Sequence, residues 1–212
     1  MKVWSYQSLE AFEVLQMQGV LRGERRYVDR HFVHAYDVLR DMMTEQLGSP
    51  PSQCTCPMWV WVRGRSGKRY GGRKPTRRYK GHVLLTLEVP EERVLVSDFH
   101  AWHTCLNNRP LCAFESEEEL HYEGLIGDLP QFDPSRTSLI RDTWWRITDL
   151  SWCLKHVYAS ENPKTMWLQG TLWEIQQADV VKVEHLDFAR ATWEKHLRTQ
   201  AYWDHRTFKD AS

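Results

Sequence analysis

The chain has 212 residues, with 28 basic and 28 acidic side chains, 42% hydrophobic residues and a mean hydropathy of -0.60. This composition fits one globular domain and excludes collagen-like, low-complexity and strongly disordered chains. No apolar run approaches the roughly 18 residues that cross a bilayer, and the amino terminus lacks the apolar segment of a secretory signal. We therefore expect a cytoplasmic protein that does not bind membranes, folded as a single domain over residues 1–212.

The amino-terminal part predicts a strand followed by two helices. A short aromatic strand over 2–6 precedes Ser8, which can cap a helix that Gly19 ends. A second helix is predicted to begin after a cap at Asp29 and to end at Gly48, because apolar residues recur in it three to four positions apart.

Two strands are predicted in the middle of the chain. The segments 58–63 and 82–89 are rich in β-branched and aromatic residues. A hairpin with a long tip is the simplest connection between them, and a crossover is the alternative. The tip, residues 63–80, carries nine basic and no acidic side chains together with several glycines, which predicts a basic loop.

The second half predicts a helical insertion and two late strands. Ser97 or Asp98 can cap a short helix, and helical patterns then recur in an insertion over 115–160. Strands are predicted over 166–175 and 180–186, with a final helix after them. The expected class is α+β, with a split mixed or antiparallel sheet flanked by helices.

The basic loop is the first candidate binding site. A run of one charge sign attracts phosphates, and Tyr70 and Tyr79 can stack on bases, so nucleic acid is an expected partner. A solvated hairpin tip is the alternative. The candidate nucleic-acid-binding residues are Arg65, Lys68, Arg69, Arg73, Lys74, Arg77, Arg78 and Lys80.

The cysteines and Glu174 are two further candidates for functional sites. The five cysteines favour buried, reduced thiols over a zinc site built from Cys54, Cys56 and two histidines, because Cys-x-Cys is not the usual zinc spacing. We expect no metal. On the late strand, alternation places Glu174 on an apolar face, where it is paired with a cation, solvated at the strand end, or held in a cleft for catalysis.

Three segments of the sequence carry a resemblance to known families. The segments VWSYQSLEAFEVLQMQGVL, VLVSDFHAWHTCLNN and WLQGTLWEIQQADVVKVEHL resemble a bacterial family defined by a domain of unknown function. More distantly, their order is similar to that of the DNA-targeting ADP-ribosyltransferase toxins. Ser97 and Asp98 stand where those enzymes carry a Thr-Asp turn, and Trp152 stands where they carry a tryptophan before the last strands.

This resemblance implies a split sheet that binds NAD as a substrate. It implies that Tyr6 or Gln7 and Arg63 hold the dinucleotide, and that Glu174 is the catalytic glutamate beside the ribose. Gln169 lies in the matching glutamine motif, and Trp61 is a candidate for stacking on a base or on nicotinamide.

Two functions are therefore expected as alternatives. The first is an ADP-ribosyltransferase-like enzyme that cleaves NAD and transfers ADP-ribose, with nucleic acid as the acceptor. The second is a non-catalytic module that binds nucleic acid or protein through the basic loop and exposed tryptophans. A protein partner, such as an antitoxin, is compatible with either.

Overall fold

A six-stranded antiparallel sheet organises the fold. The computed structural model describes residues 1–63, with Arg63 in its backbone alone, and residues 81–186. The sheet contains β1 (Lys2–Ser8), β3 (Met58–Arg63), β4 (His82–Glu88), β5 (Leu95–Asp98), β6 (Leu168–Leu172) and β8 (Val180–His185), in the spatial order β5-β6-β3-β1-β4-β8. A separate two-stranded antiparallel sheet pairs β2 (Val20–Arg22) with β7 (Glu174–Gln176).

Six α-helices occur in the described residues and complete the α+β class that the sequence predicts. They are α1 (Leu9–Gln18), α2 (Val33–Leu47), α3 (Phe99–Leu106), α4 (Glu117–Ile126), α5 (Pro134–Ile140) and α6 (Leu150–His156). A 3-10 helix over Arg141–Thr148 joins α5 to α6, so helices fill much of the segment in which the sequence predicts an insertion. No helix in the described ranges is both long and apolar enough to span a membrane.

The strand β1 lies inside the sheet, between β3 and β4. It pairs antiparallel with both neighbours. Trp4 lies opposite Trp61 of β3, and Val3 lies opposite Leu87 of β4. The predicted hairpin of β3 and β4 is therefore wrong, because these strands run parallel on either side of β1. The connection between them is long enough that nearness in sequence does not force them to pair.

The late strand predicted over 166–175 is two strands. The chain leaves the six-stranded sheet after Leu172, bends at Trp173, and enters the two-stranded sheet at Glu174. Two hydrogen bonds hold the bend: the indole Nε1 of Trp173 donates to the carbonyl of Gly48 at 3.0 Å, and the thiol of Cys54 donates to the carbonyl of Trp173 at 3.0 Å. The bend removes Glu174 from the apolar face on which simple alternation placed it.

The predicted ends of the first helix are confirmed, whereas the predicted start of the second is wrong. The Ser8 hydroxyl accepts a hydrogen bond from the amide of Ala11 at 3.1 Å, and Gly19 ends α1 with a φ of 73°. Asp29 instead accepts from the amide of His31 at 2.9 Å. Residues 29–32 therefore form a turn, and α2 begins at Val33.

The two faces of the six-stranded sheet bury separate apolar clusters. On one face, Phe12 and Leu15 of α1 pack against Val3 and Leu85. The other cluster is built largely from the helices and includes Leu39, Met43, Trp144 and Ile147. Cys54, Cys56, Cys105 and Cys153 are buried free thiols, and Cys112 is a partly buried one.

A buried carboxylate ties α3 to the segment before β6. Asp98 is completely buried, and its Oδ1 accepts from the amide of Ala101 at 2.8 Å, so it is the cap of α3. The Tyr158 hydroxyl donates to Oδ2 of Asp98 at 2.8 Å and accepts from the amide of Trp167 at 2.9 Å. Burial raises the pKa of Asp98, while the hydrogen bonds from Ala101 and Tyr158 oppose that rise.

The Asp98–Tyr158 contact predicts a pH-dependent loss of stability in Tyr158→Phe. The bond from Tyr158 lowers the pKa of Asp98 and therefore favours its ionised form. We expect the variant to lower the free energy of unfolding by about 2 kcal/mol at pH 7, and by less at pH 4, where Asp98 is more protonated. Denaturant unfolding at both pH values measures this difference, and an equal loss at the two would contradict the argument.

Candidate functional site

A groove of about 1230 Å³ opens at the carboxyl end of β1, and we call it the β1 groove. Its walls come from residues 6–8, from α1, from residues between 20 and 29, from the start of α2, and from residues between 53 and 59. The amino-terminal strand, helix and loop thus form most of the cavity, because the Ser8 cap turns the chain directly from β1 into α1.

Aromatic side chains are the first feature of the β1 groove. They come from four separate segments, and Tyr27 is 76% exposed. Planar rings of this kind provide surfaces on which a base or a nicotinamide ring can stack. The aromatic residues are Tyr6, Tyr27, Phe32, Tyr36 and Trp59.

The hydroxyl of Tyr36 is positioned to donate a hydrogen bond inside the groove. It accepts from the indole Nε1 of Trp59 at 2.9 Å, and the described residues contain no hydrogen bond that it donates. Burial raises the pKa of Tyr36, so the hydroxyl keeps its proton at neutral pH. A carbonyl or phosphate oxygen of a ligand can therefore accept a hydrogen bond from the Tyr36 hydroxyl.

Charged side chains of both signs line the groove. Arg26 bonds to Glu24, with an Nε–Oε2 distance of 2.9 Å. Arg22 faces the groove from the end of β2, and Glu10 and Asp29 contribute two carboxylates. The groove thus offers cationic groups for phosphates and carboxylates that can accept from hydroxyls.

Tyr6 and Gln7, two of the residues selected from the sequence, line the β1 groove. Gln7 donates from Nε2 to the hydroxyl of Ser5 at 2.7 Å, and that hydroxyl donates to the carbonyl of Trp59 at 2.9 Å. These hydrogen bonds therefore fix the side chain of Gln7 in the lining of the cavity.

Trp61 and Gln169 lie together, but away from the groove lining. They are directly opposite each other on β3 and β6. Gln169 is 4% exposed, and the Trp61 ring lies 5.1 Å from the ring of Phe99 between centroids. The sequence predicts both as cofactor contacts, and their positions place them in the packing between sheet and helices.

Glu174 does not line the groove itself, but it contacts Arg22, which does. The two residues are directly paired across β2 and β7, and Nε of Arg22 donates to Oε2 of Glu174 at 2.9 Å. Its other oxygen, Oε1, accepts from Nε2 of Gln176 at 3.0 Å. Of the three sequence-based alternatives for Glu174, the geometry shows pairing with a cation.

The remaining predicted site residues lie outside the described part of the chain. This applies to the side chain of Arg63 and to every candidate nucleic-acid contact between Arg65 and Lys80. Within the described ranges, no group of three or more His, Cys, Asp or Glu side chains is placed to hold a metal ion.

Sequence reasoning missed Arg22, Tyr27 and Tyr36. The first two belong to the segment Arg22-Gly23-Glu24-Arg25-Arg26-Tyr27, whose charged and aromatic residues directly follow a three-residue strand. That composition was a usable signal for a site. Tyr36 gave no such signal, because its spacing is that of an ordinary helix stripe.

Comparison with known protein families identifies the chain. Residues 2–181 match a domain of unknown function, DUF3841. The chain belongs to the DUF3841 family. The match includes every residue that lines the β1 groove of this DUF3841 domain, as well as β6 and β7. No curated protein and no solved structure matched the chain. The DUF3841 match gives no support to the resemblance to ADP-ribosyltransferase toxins.

The Trp59–Tyr36 bond makes a prediction about the stability of the DUF3841 domain. Tyr36→Phe keeps the ring but removes the acceptor of the Trp59 indole, so we expect the free energy of unfolding to fall by about 1 kcal/mol. Tyr27→Phe is the matched control; its ring is exposed, and a change within about 0.5 kcal/mol is expected. Denaturant unfolding measures both, and equal effects would contradict the role of this bond.

Proposed function

We propose that the DUF3841 domain binds NAD in the β1 groove, cleaves it, and transfers ADP-ribose. The observation that carries the proposal is the convergence in one cavity of five aromatic residues, two arginines and three carboxylates. These are the groups that a dinucleotide needs, since it combines two planar rings, a charged pyrophosphate and two riboses with hydroxyl donors. A volume of about 1230 Å³ has room for such a ligand.

The acidic side chains favour NAD over NADP. Glu10 and Asp29 line the groove, and carboxylates accept hydrogen bonds from ribose hydroxyls. A 2′-phosphate placed near them would meet like charge, and the guanidinium of Arg26 is already paired with Glu24. We therefore expect the ligand to carry a free ribose.

The proposed reaction breaks the bond between nicotinamide nitrogen and ribose C1′. The electron pair of that bond leaves with nicotinamide, which gives C1′ oxocarbenium character. An acceptor nucleophile then forms the new bond to C1′ and loses its proton to a carboxylate or to water. The resemblance gives the carboxylate role to Glu174, which contacts the groove lining through Arg22, whereas Glu10 and Asp29 line the β1 groove themselves.

NAD titration and nicotinamide release test this proposal together. We expect the purified protein to bind NAD in calorimetry at least about tenfold more tightly than NADP, a difference of about 1.4 kcal/mol. We also expect it to release nicotinamide above the rate of a boiled control. Absence of NAD binding at millimolar concentration would contradict the site, and binding without nicotinamide release would contradict the enzymatic step.

Nucleic acid is the proposed acceptor, and in the alternative it is the ligand of a non-catalytic module. The supporting observation is the run of nine basic residues between Arg63 and Lys80, within a chain of zero net charge. Binding through such a run releases counterions, so its affinity falls steeply with salt.

Salt titration tests the role of the basic run. We expect affinity for a single-stranded oligonucleotide to fall by at least about tenfold between 50 and 200 mM salt. A variant with Arg73, Lys74, Arg77 and Arg78 changed to glutamine should lose most of this dependence while still binding NAD. Salt-independent or absent binding by the parent protein would contradict both nucleic-acid roles.

A further inference from the structure

Arg22 differs from the neighbouring arginines in how its guanidinium is used. Only Nε of Arg22 is engaged, by Oε2 of Glu174, and no hydrogen bond from either Nη atom occurs in the described residues. Arg25 has both Nη atoms on the Asp37 carboxylate, and Arg26 is held by Glu24. Of these three side chains, Arg22 alone combines a place in the groove lining with two terminal donors that no described residue occupies.

The strand that holds Glu174 is itself fixed. Arg93 forms a two-point contact with Asp179, at 2.7 and 3.0 Å, and its Nη2 also donates to the carbonyl of Glu174 at 3.2 Å. The second carboxylate oxygen of Asp179 accepts from the amide of Gln176 at 2.8 Å. The Glu174 side chain is 15% exposed, so the carboxylate is shielded from solvent beside Arg22.

These contacts define a role for the pair. We infer that Arg22 binds the pyrophosphate of the dinucleotide through its two Nη atoms, and that Glu174 is a positioning residue that orients Arg22. This inference rests on the proposed function and departs from it in one respect, because it removes Glu174 from the reacting atoms. A planar guanidinium held at Nε presents its remaining donors as a fork that matches two phosphate oxygens.

Within the groove lining, the charges place the pyrophosphate at Arg22. Arg26 has Nε and Nη2 on the Glu24 carboxylate, while Glu10 and Asp29 would repel phosphate. The pyrophosphate therefore belongs at the Arg22 end, and the riboses belong toward the acidic side chains. Glu174 partly neutralises Arg22 but leaves both outward donors in place.

The test compares a ligand that carries a pyrophosphate with one that lacks it. Dissociation constants for ADP-ribose and adenosine are measured by calorimetry for the parent, Arg22→Gln, Arg22→Lys, Glu174→Gln and the double variant. Arg30→Gln is the matched control, because Arg30 is an exposed arginine of the same segment that does not line the groove. Melting temperatures check that each variant is folded, and Arg22→Lys keeps the charge if Arg22→Gln does not fold.

Arg22→Gln should weaken ADP-ribose binding at least about tenfold and leave adenosine binding within about twofold. Arg22→Lys should fall between the parent and Arg22→Gln, because an ammonium supplies charge without the fork. Glu174→Gln alone should weaken ADP-ribose binding about threefold or more. Added to Arg22→Gln, it should have no further effect on binding, because a positioning residue acts through the residue that it orients. In nicotinamide release, Glu174→Gln should raise KM for NAD more than it lowers kcat.

Three results would overturn the inference, and they separate it from the proposed function. If the parent binds ADP-ribose and Arg22→Gln binds it equally well, Arg22 is not the phosphate contact. If Glu174→Gln lowers kcat at saturating NAD without changing KM, Glu174 is catalytic and the positioning role is wrong. If the parent binds neither ADP-ribose nor adenosine, the proposed function fails together with the inference.

Discussion

The central position of β1 is the constraint on which the rest of the structure depends. An amino-terminal strand between β3 and β4 is covered on both faces, and Val3, Trp4 and Ser5 are buried accordingly. Because β1 is held by two neighbours, its carboxyl end is fixed, and the turn at Ser8 sends α1 back across the sheet. The β1 groove forms where this turn, the following loop and the start of α2 meet.

The two-stranded sheet connects the late part of the chain to that amino-terminal site. The bend at Trp173 takes the chain out of the large sheet. Glu174 of β7 then contacts Arg22, which lines a groove built from the first 60 residues. The amide of Gln177 also donates to the carbonyl of Gly19 at 2.8 Å, which fastens the same junction. At this junction Glu174 is paired with the cation Arg22 and is not solvated at the strand end.

Local signals in the sequence predicted both ends of the first helix, although the local cap predicted at Asp29 was wrong. The cap at Ser8 and the end at Gly19 follow from side-chain hydrogen bonding and from the left-handed backbone that glycine adopts readily. The order of strands could not be predicted in this way, since pairing across a long connection depends on which faces are buried. The bend at Trp173 was equally hidden, because the bonds that hold it come from Cys54 and Gly48, more than a hundred residues away.

In the candidate site, too, local features could be predicted from the sequence and contacts between distant residues could not. Tyr6 and Gln7 were selected from the sequence, and both line the β1 groove. Glu174 was recognised as a carboxylate in need of a partner, but its partner Arg22 lies 152 positions away and no local pattern links the two.

A crystal structure of the protein, from crystals grown with NAD, tests the central claim most directly. We predict the dinucleotide in the β1 groove with its pyrophosphate against Arg22; NAD bound elsewhere, with the groove empty at saturating concentration, would contradict the account.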